Sequence, residues 1–244
     1  MKAVILAAGM GKRLRPRTDK LPKALVEVAG RPLLEYSLIA LKESKLREVV
    51  IVVGFFGDLI RQKFGGKYKG LKISYITNNA YAQTGSMYSF SCAKDAITED
   101  VILLESDLFY DPRAIKVMIE SSYKNCMLVS EKSGSGDEVY ICVDERKRIM
   151  KLGKGLAGKN RENAIGEMVG ISKFSIEFIA TVFNRAEKDY KKGDLNYHYE
   201  ECVLLQSLSG EPVYAVLHSD LTWTEIDNED DLKRARTKIY QRIK

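Results

Sequence analysis

The sequence predicts an α/β fold: a single domain built on a mixed, mostly parallel sheet flanked by helices. Three observations carry that prediction. Short apolar runs of strand length alternate with helix-period segments through the first half, prolines and glycines punctuate the changes, and after Cys126 the pattern turns to consecutive strand-like pieces. Such alternation implies parallel strands joined by right-handed helical crossovers, with ligands bound beyond the carboxyl ends of the strands.

The expected strands of the first half are KAVILAA at 2–8, VVIVVG at 49–54, ISYIT at 73–77 and VILLES at 101–106, each a run of apolar residues ending in small or polar ones. Between them, PLLEYSLIALKES at 32–44, GDLIRQKF at 57–64, SMYSFSCAKDA at 86–96 and PRAIKVMIESSY at 112–123 repeat apolar residues every three or four positions. Pro32 and Pro112 sit where a first helical turn tolerates proline. In the second half NCMLVS, EVYICVDE, RIMKLGK and AIGEMVGISKF read as an antiparallel or mixed extension of the sheet. Helices are expected near 174–190, 198–209 and 228–242, and the glycine-rich GLAGKN at 155–160 as a mobile loop over a site.

At 244 residues the chain can bury one substantial core, and 45% hydrophobic with 30% charged residues describes a soluble globular protein. No apolar run reaches membrane-spanning length, and Met1 leads directly into the first strand without room for a secretory signal, so a cytoplasmic location is expected. Cys92, Cys126, Cys142 and Cys202 are widely spaced in apolar stretches, the pattern of reduced, buried thiols. The net charge of +6 suits nucleic acid or a small anion. The densest basic stretch outside the first loop, RQKFGGKYKGLK at 61–72, reads as a solvated turn before a strand, so nucleic acid is not expected as a partner.

The first loop carries the chemistry. LAAGMGKRLRPRTDKLPKAL at 6–25 crowds glycines, prolines and cations behind a buried strand, an arrangement too costly in entropy and like-charge repulsion for an idle connector. An anion is expected there. The phosphate-loop form G-x-x-x-x-G-K-[ST] fails, because Leu6 holds its first glycine position and Arg13 replaces the metal-binding hydroxyl. The dinucleotide form G-x-G-x-x-G fails as well, since Gly9 and Gly11 are followed by Leu14.

What fits is L-A-A-G-x-G-x-R-L-x-P-x-T-x-x-x-P-K-x-L, which resembles the signature of nucleotidyltransferases that make activated sugars and alcohols from nucleoside triphosphates. The resemblance implies a Rossmann-like, nucleotide-diphospho-sugar transferase type of fold. It also implies a nucleotide-binding half of about 1–125, an acceptor-binding half of about 126–227 and a C-terminal helix of about 228–242. Leu6, Ala8, Gly9, Gly11, Lys12 and Arg13 are then nucleotide-binding, the glycines letting backbone N–H groups approach phosphate oxygens. Arg13 would hold the leaving β- and γ-phosphates, and Lys23 would bridge the acceptor phosphate and the α-phosphate. Lys12 stands where the family often has Thr or Ser, and either adds a phosphate contact or points to solvent. The competing reading is that these cations make surface pairs with Asp19, Glu27 or Glu35.

Triphosphate chemistry calls for Mg²⁺ on carboxylate oxygens. Asp107, after VILLES, and Asp227, in W-x-E-I-D-x-x-x-D-L, resemble the two metal-binding aspartates of the family. Their competing readings are a turn residue before Pro112 and a helix N-terminus rich in negative charge. The glycine segment that sugar-nucleotide enzymes use for the base is missing at NNAYAQTGSMYSF (78–90), which is closer to cytidylyltransferases of small phosphorylated alcohols. Tyr81, Ser86 and Ser89 are therefore base and ribose candidates, or else merely a turn and an amphipathic helix.

The resemblance thus implies a Mg²⁺-dependent transfer from CTP to a small phosphorylated alcohol, with Lys23, Arg13 and Asp107 as the catalytic set. The acceptor candidates are Lys23, Tyr110, Tyr199, Glu200 and Trp223, the aromatic ones as a cage for the ammonium of phosphocholine. Phosphocholine enzymes place a tryptophan where Val139 and Tyr140 stand, which leans the acceptor to inositol 1-phosphate. A sugar-1-phosphate nucleotidyltransferase and a regulatory, non-catalytic nucleotide-binding subunit are the rival classes. His198 and His218 have no assigned acid or base role.

Overall fold

The structure is a computed structural model describing residues 1–132, 136–156, 158 and 162–243. Residues 157, 159 and 160 of the GLAGKN stretch expected as a mobile loop, half of it, lie outside the described residues.

The expected alternation folds as a parallel core. Strands β1 (Lys2–Ala7), β4 (Glu48–Val53), β6 (Leu71–Thr77) and β7 (Val101–Glu105) lie in the order β7-β1-β4-β6, all parallel. Between β1 and β4, the two-residue strands β2 (Glu27–Val28) and β3 (Arg31–Pro32) close a separate small hairpin. Period-two alternation assigns the faces of the core strands. Ala3, Ile5, Ala7, Val49, Ile51 and Val53 enter one core cluster with helices α1 (Leu33–Glu43), α2 (Gly57–Phe64) and α4 (Arg113–Glu120). Val4, Leu6, Val50 and Val52 face the other way. They pack with α3 (Ser86–Cys92), α5 (Ile176–Tyr190) and α6 (Tyr199–Ser209). Both faces of β1 and β4 are thus covered, which is why these strands read as unbroken apolar runs.

The second half adds an antiparallel wing of β9 (Cys126–Ser130), β10 (Tyr140–Val143), β11 (Ile149–Gly153) and β12 (Gly166–Phe174). Strand β12 joins that wing to β7, and β13 (Tyr214–Leu217) returns parallel to β9. Helix α4 ends at Glu120, earlier than the expected 123, because Ser121 turns extended and its carbonyl accepts a hydrogen bond from Lys173 Nζ at 2.7 Å. The basic 61–72 stretch closes as an edge hairpin, β5 (Lys67–Tyr68) against β6. The final helix divides into α7 (Glu229–Arg234), a π-turn at Ala235–Ile239 and α8 (Tyr240–Ile243).

Cys126 and Cys202 are buried as expected, whereas Cys92 and Cys142 are half-buried, and no disulfide joins the four among the described residues. No helix among those residues is long and apolar enough to cross a membrane.

One feature not expected from the sequence positions the site. A separate two-stranded ladder pairs β8 (Leu108–Tyr110) with β14 (Trp223–Glu225), Glu225 opposite Leu108, and the N–H of Ile226 donates to the Asp107 carbonyl at 3.0 Å. That ladder sets Asp227 beside Asp107 although 120 positions separate them (227 − 107).

Candidate active site

Register brings the first two walls together. Leu6 of β1 is level with Glu105 of β7, so the loop that begins at Ala8 and the turn Ser106–Asp107 leave the sheet side by side at its carboxyl edge. They border a cavity of about 340 Å³, into which Arg13, Lys23, Glu105, Asp107, Lys154, Glu200, Glu225 and Asp227 all project.

The loop is held by its own side chains. Gly11 sits at φ 57°, ψ 38°, in the left-handed region, and its carbonyl accepts the Thr18 hydroxyl at 2.8 Å. Leu14 is fully buried against Phe109, Ile226 and Leu232, which anchors the basic segment on the C-terminal helix. Pro22, extended at φ −67°, opens the short 3-10 turn Lys23–Leu25, and buried Ala24 and Leu25 fix the direction in which Lys23 leaves it.

Lys23 Nζ donates to Asp107 Oδ2 at 2.6 Å and to Asp227 Oδ1. Arg13 reaches the other oxygen of Asp227, Nη2 to Oδ2 at 2.7 Å, and Asp137 Oδ2 at 2.5 Å. Asp137 is shared with Lys154 Nζ at 2.8 Å. The surface pairs with Asp19 and Glu35 belong to other cations: Arg15 meets Asp19 at 3.4 Å and Arg31 meets Glu35 at 3.7 Å. Burial disfavours the Lys23 charge, but the two aspartates outweigh it and hold the ammonium above its usual pKa.

The acid-rich helix N-terminus weighed as the alternative for Asp227 is present, with Glu229, Asp230 and Asp231 in the first turn of α7, but Asp227 is not its cap. Asn228 Oδ1 takes the N–H groups of Asp230 and Asp231 at 2.9 and 3.0 Å, and Asp231 Oδ2 returns to the N–H of Asn228 at 3.2 Å, a reciprocal cap. The carboxylate of Asp227 is thereby left to the cavity. Asp111, not Asp107, caps the turn at Pro112, accepting the N–H of Arg113 at 2.9 Å.

Sequence reasoning missed Glu105, Glu225, Lys154 and Asp137. Burial, then Asp107 and Glu225, push Glu105 well above the ordinary carboxylate range; burial, then Asp107 and Asp227, do the same to Glu225. Glu105 is admitted by a bulge: Gly170 of β12 lies at φ 79°, and a Cβ there would stand 3.2 Å from the Glu105 carboxyl carbon. The signal for two of them lay two residues upstream of each aspartate, in E-S-D and E-I-D, since alternate strand positions share a face.

The remaining expectations divide. Leu6, Ala8, Gly9, Tyr81, Ser86, Ser89 and Glu200 line the cavity. Gly11 and Lys12 do not: Gly11 makes the turn behind Lys23, and Lys12 is exposed outside the lining. The aromatic cage is corrected. Tyr110 and Trp223 belong to the main core, 4% and 8% exposed, because the β8–β14 ladder turns them inward, and Tyr199 is fully buried with Phe90 and Phe183 in the other cluster. Glu200, one residue on from Tyr199, does reach the cavity, where its buried Oε2 has no hydrogen-bond partner among the described residues. Of the two histidines, His198 lines the cavity and caps α6, and His218, outside the lining, pairs with Asp220 at 2.8 Å.

Comparison with known proteins follows the same lines. Residues 3–221 match the MobA-like NTP transferase domain. The chain belongs to that family. Within the MobA-like family, it is 39% identical over 116 residues to a CMP-5'-(3-aminopropyl)phosphonate synthase of Streptomyces rubellomurinus; the match covers 48% of this chain and spans only 18% of the synthase's length. It is 26% identical to a CTP:phosphoglutamine cytidylyltransferase of Campylobacter jejuni, over 96% of this chain and 98% of that enzyme. The fold is that of the inositol-1-phosphate CTP transferase from T. maritima, with a TM-score of 0.79 at 24% identity over 99% of this chain and 94% of the other.

Proposed function

We propose that this protein transfers CMP from CTP to a small phosphorylated alcohol and releases pyrophosphate, with inositol 1-phosphate as the leading acceptor. The observation that carries the reading is the Lys23 ammonium joined to both Asp107 and Asp227 at the mouth of a family nucleotide loop. Cytosine is favoured by the two curated relatives, whose products or donors are cytidine nucleotides by name.

The acceptor phosphate has a second pKa of about 6, so its oxygen is largely ionised at neutral pH and needs no general base. That oxygen bonds to the α-phosphorus in line as the bond from it to the bridging oxygen of the β-phosphate breaks, and the electron pair leaves with pyrophosphate. Lys23 offsets the repulsion between the two anions, and Arg13 and Lys154 can exchange Asp137 for phosphate oxygens. Catalysis in this scheme is positioning plus electrostatics.

The donor set fits Mg²⁺. Asp107 Oδ1 is buried without a hydrogen-bond partner among the described residues, and Asp227 is held next to it by the shared Lys23. Hard oxygen ligands of this kind suit Mg²⁺, which keeps waters or phosphate oxygens in its other positions; among the described residues no third His, Cys, Asp or Glu completes a protein-only metal site. When bound, the ion neutralises triphosphate charge in a cavity whose lining holds five carboxylates against three cations, Arg13, Lys23 and Lys154.

Inositol 1-phosphate leads because Tyr81 is the one six-carbon aromatic ring in the lining among the described residues, while the unpartnered Glu200 Oε2 accepts from hydroxyls. The ionised carboxylate would equally attract the quaternary ammonium of phosphocholine by charge alone, which is the second reading. Pyrophosphate release with CTP or UTP against inositol 1-phosphate, phosphocholine and glucose 1-phosphate tests both; release with glucose 1-phosphate and UTP alone overturns them, and release with none returns the chain to a regulatory nucleotide-binding role.

A further inference from the structure

We propose that Asn78 is a specificity-determining positioning residue: its amide fixes the hydroxyl of Ser89 as a hydrogen-bond donor into the cavity, where it addresses N3 of cytosine and disfavours uracil. The inference rests on the reading of Ser89 and its neighbours as the base end of a CTP site.

Asn78 is fully buried at the end of β6, and its backbone N–H continues the β4 ladder to the carbonyl of Val53 at 2.8 Å. Its amide orientation is forced. Oδ1 accepts the N–H of Ala80 at 2.9 Å, so the NH₂ group must face the other way, where it donates to Thr84 Oγ1 and Ser89 Oγ, both at 3.0 Å. Both of its hydrogens are thereby engaged.

The consequence differs for the two hydroxyls. Thr84 passes its own hydrogen to the carbonyl of Ala80 at 2.9 Å and is complete. Ser89, which lines the cavity, accepts from Asn78, and its hydrogen has no acceptor among the described residues. Ser86, the third hydroxyl at this end, accepts the N–H of Tyr199 at 3.0 Å. All three of these side-chain oxygens therefore already receive a protein donor, and among the three, within the described residues, the hydrogen left without a protein acceptor and facing the cavity is that of Ser89, Ser86 lying 3.4 Å from His198 Nδ1. Cytosine presents a lone pair at N3, whereas uracil presents an N–H, so the first is paired and the second opposed.

The test inverts the donor. In Asn78→Asp one carboxylate oxygen keeps the Ala80 contact, and the other becomes an acceptor that turns the Ser89 hydrogen away from the cavity. Binding of CTP and of UTP would be measured by calorimetry with Mg²⁺, on the full chain, for wild type, Asn78→Asp and Ser89→Ala. We expect the wild type to prefer CTP by about tenfold or more and both variants to lose most of that preference, because a mismatched donor pair is penalised more than a missing contact. A general loss of packing would weaken both nucleotides together and leave their ratio unchanged, which separates positioning from stability. Ser89→Ala decides the matter if the carboxylate introduced by Asn78→Asp prevents folding. Retention of the wild-type CTP:UTP ratio in a folded variant overturns the inference while the nucleotide site stands; binding of neither nucleotide by the wild type overturns the CTP reading itself and this inference with it.

Discussion

Lys23 Nζ lies 2.6 Å from Asp107 Oδ2 in a contact of which the lysine side chain is only 11% exposed. With Asp227 on its other side, the ammonium separates two carboxylates that would otherwise confront each other. Lys23→Ala should therefore act twice. It should lower kcat by about 100-fold or more, as removal of one preorganised charge at a reacting phosphate does. It should also destabilise the fold by about 3 kcal/mol, because a buried pair has lost one partner. Chemical denaturation with and without Mg²⁺ checks the second part: the deficit should shrink when the ion is added. A rise in acceptor KM with kcat intact would reduce Lys23 to a binding group.

Asp107 and Asp227 are held by different means, one by its position in the β7–β8 turn and the other by the Asn228–Asp231 cap behind it. Asp107→Asn and Asp227→Asn keep shape and remove charge, so each should abolish pyrophosphate release from CTP and each should erase the rise in Tm that Mg²⁺ gives the wild type. Near-normal turnover in either variant is incompatible with the metal assignment.

Gly11 offers a sharper dissection. A Cβ there would stand 3.2 Å from Cβ of Lys23 and 3.2 Å from Cγ2 of Thr18, on a backbone at φ 57°. Gly30 shares the positive φ, 77°, with nothing within 4 Å. Gly11→Ala and Gly30→Ala should both cost about 1 kcal/mol for the left-handed backbone. Only Gly11→Ala should also reduce kcat, by displacing Lys23. Equal activity in the two variants would show that the glycine serves the turn alone.

How far the site was legible follows from where its parts lie in the chain. The strands of the parallel core announced themselves because both faces are buried, and the loop at 6–25 because its residues are contiguous. Strands β8 and β14 were not legible. Each has three residues, too few for a period to register, yet their pairing is what joins Asp107 to Asp227. Tyr110 and Trp223 were misplaced for the same reason, since without the ladder nothing in the sequence says which way alternate residues point. Asp137 and Lys154 find Arg13 only through tertiary folding, and ion pairs between distant segments leave no local pattern.

Glu200 gives the last prediction, on pH. Its folded-state pKa is raised, first by burial and then by Glu201, against the lowering influence of His198 and Lys154. A glutamate whose pKa rises on folding binds its proton more tightly in the native state than in the unfolded chain, so its contribution to stability is complete below the ordinary value of 4.5. That contribution is lost as pH climbs through the raised folded value. Unfolding free energy of the wild type should therefore decline relative to Glu200→Gln as pH is raised from about 4.5 toward neutrality, where the amide has nothing to ionise. Urea titrations of both proteins across that range measure the difference directly. A substrate group that pairs with the ionised carboxylate should reverse the trend, so the same titration repeated with inositol 1-phosphate or phosphocholine reports which acceptor meets Glu200. A pH-independent difference between the two proteins, with or without acceptor, would mean that the unpartnered oxygen faces neither solvent nor substrate and that Glu200 has no part in acceptor binding.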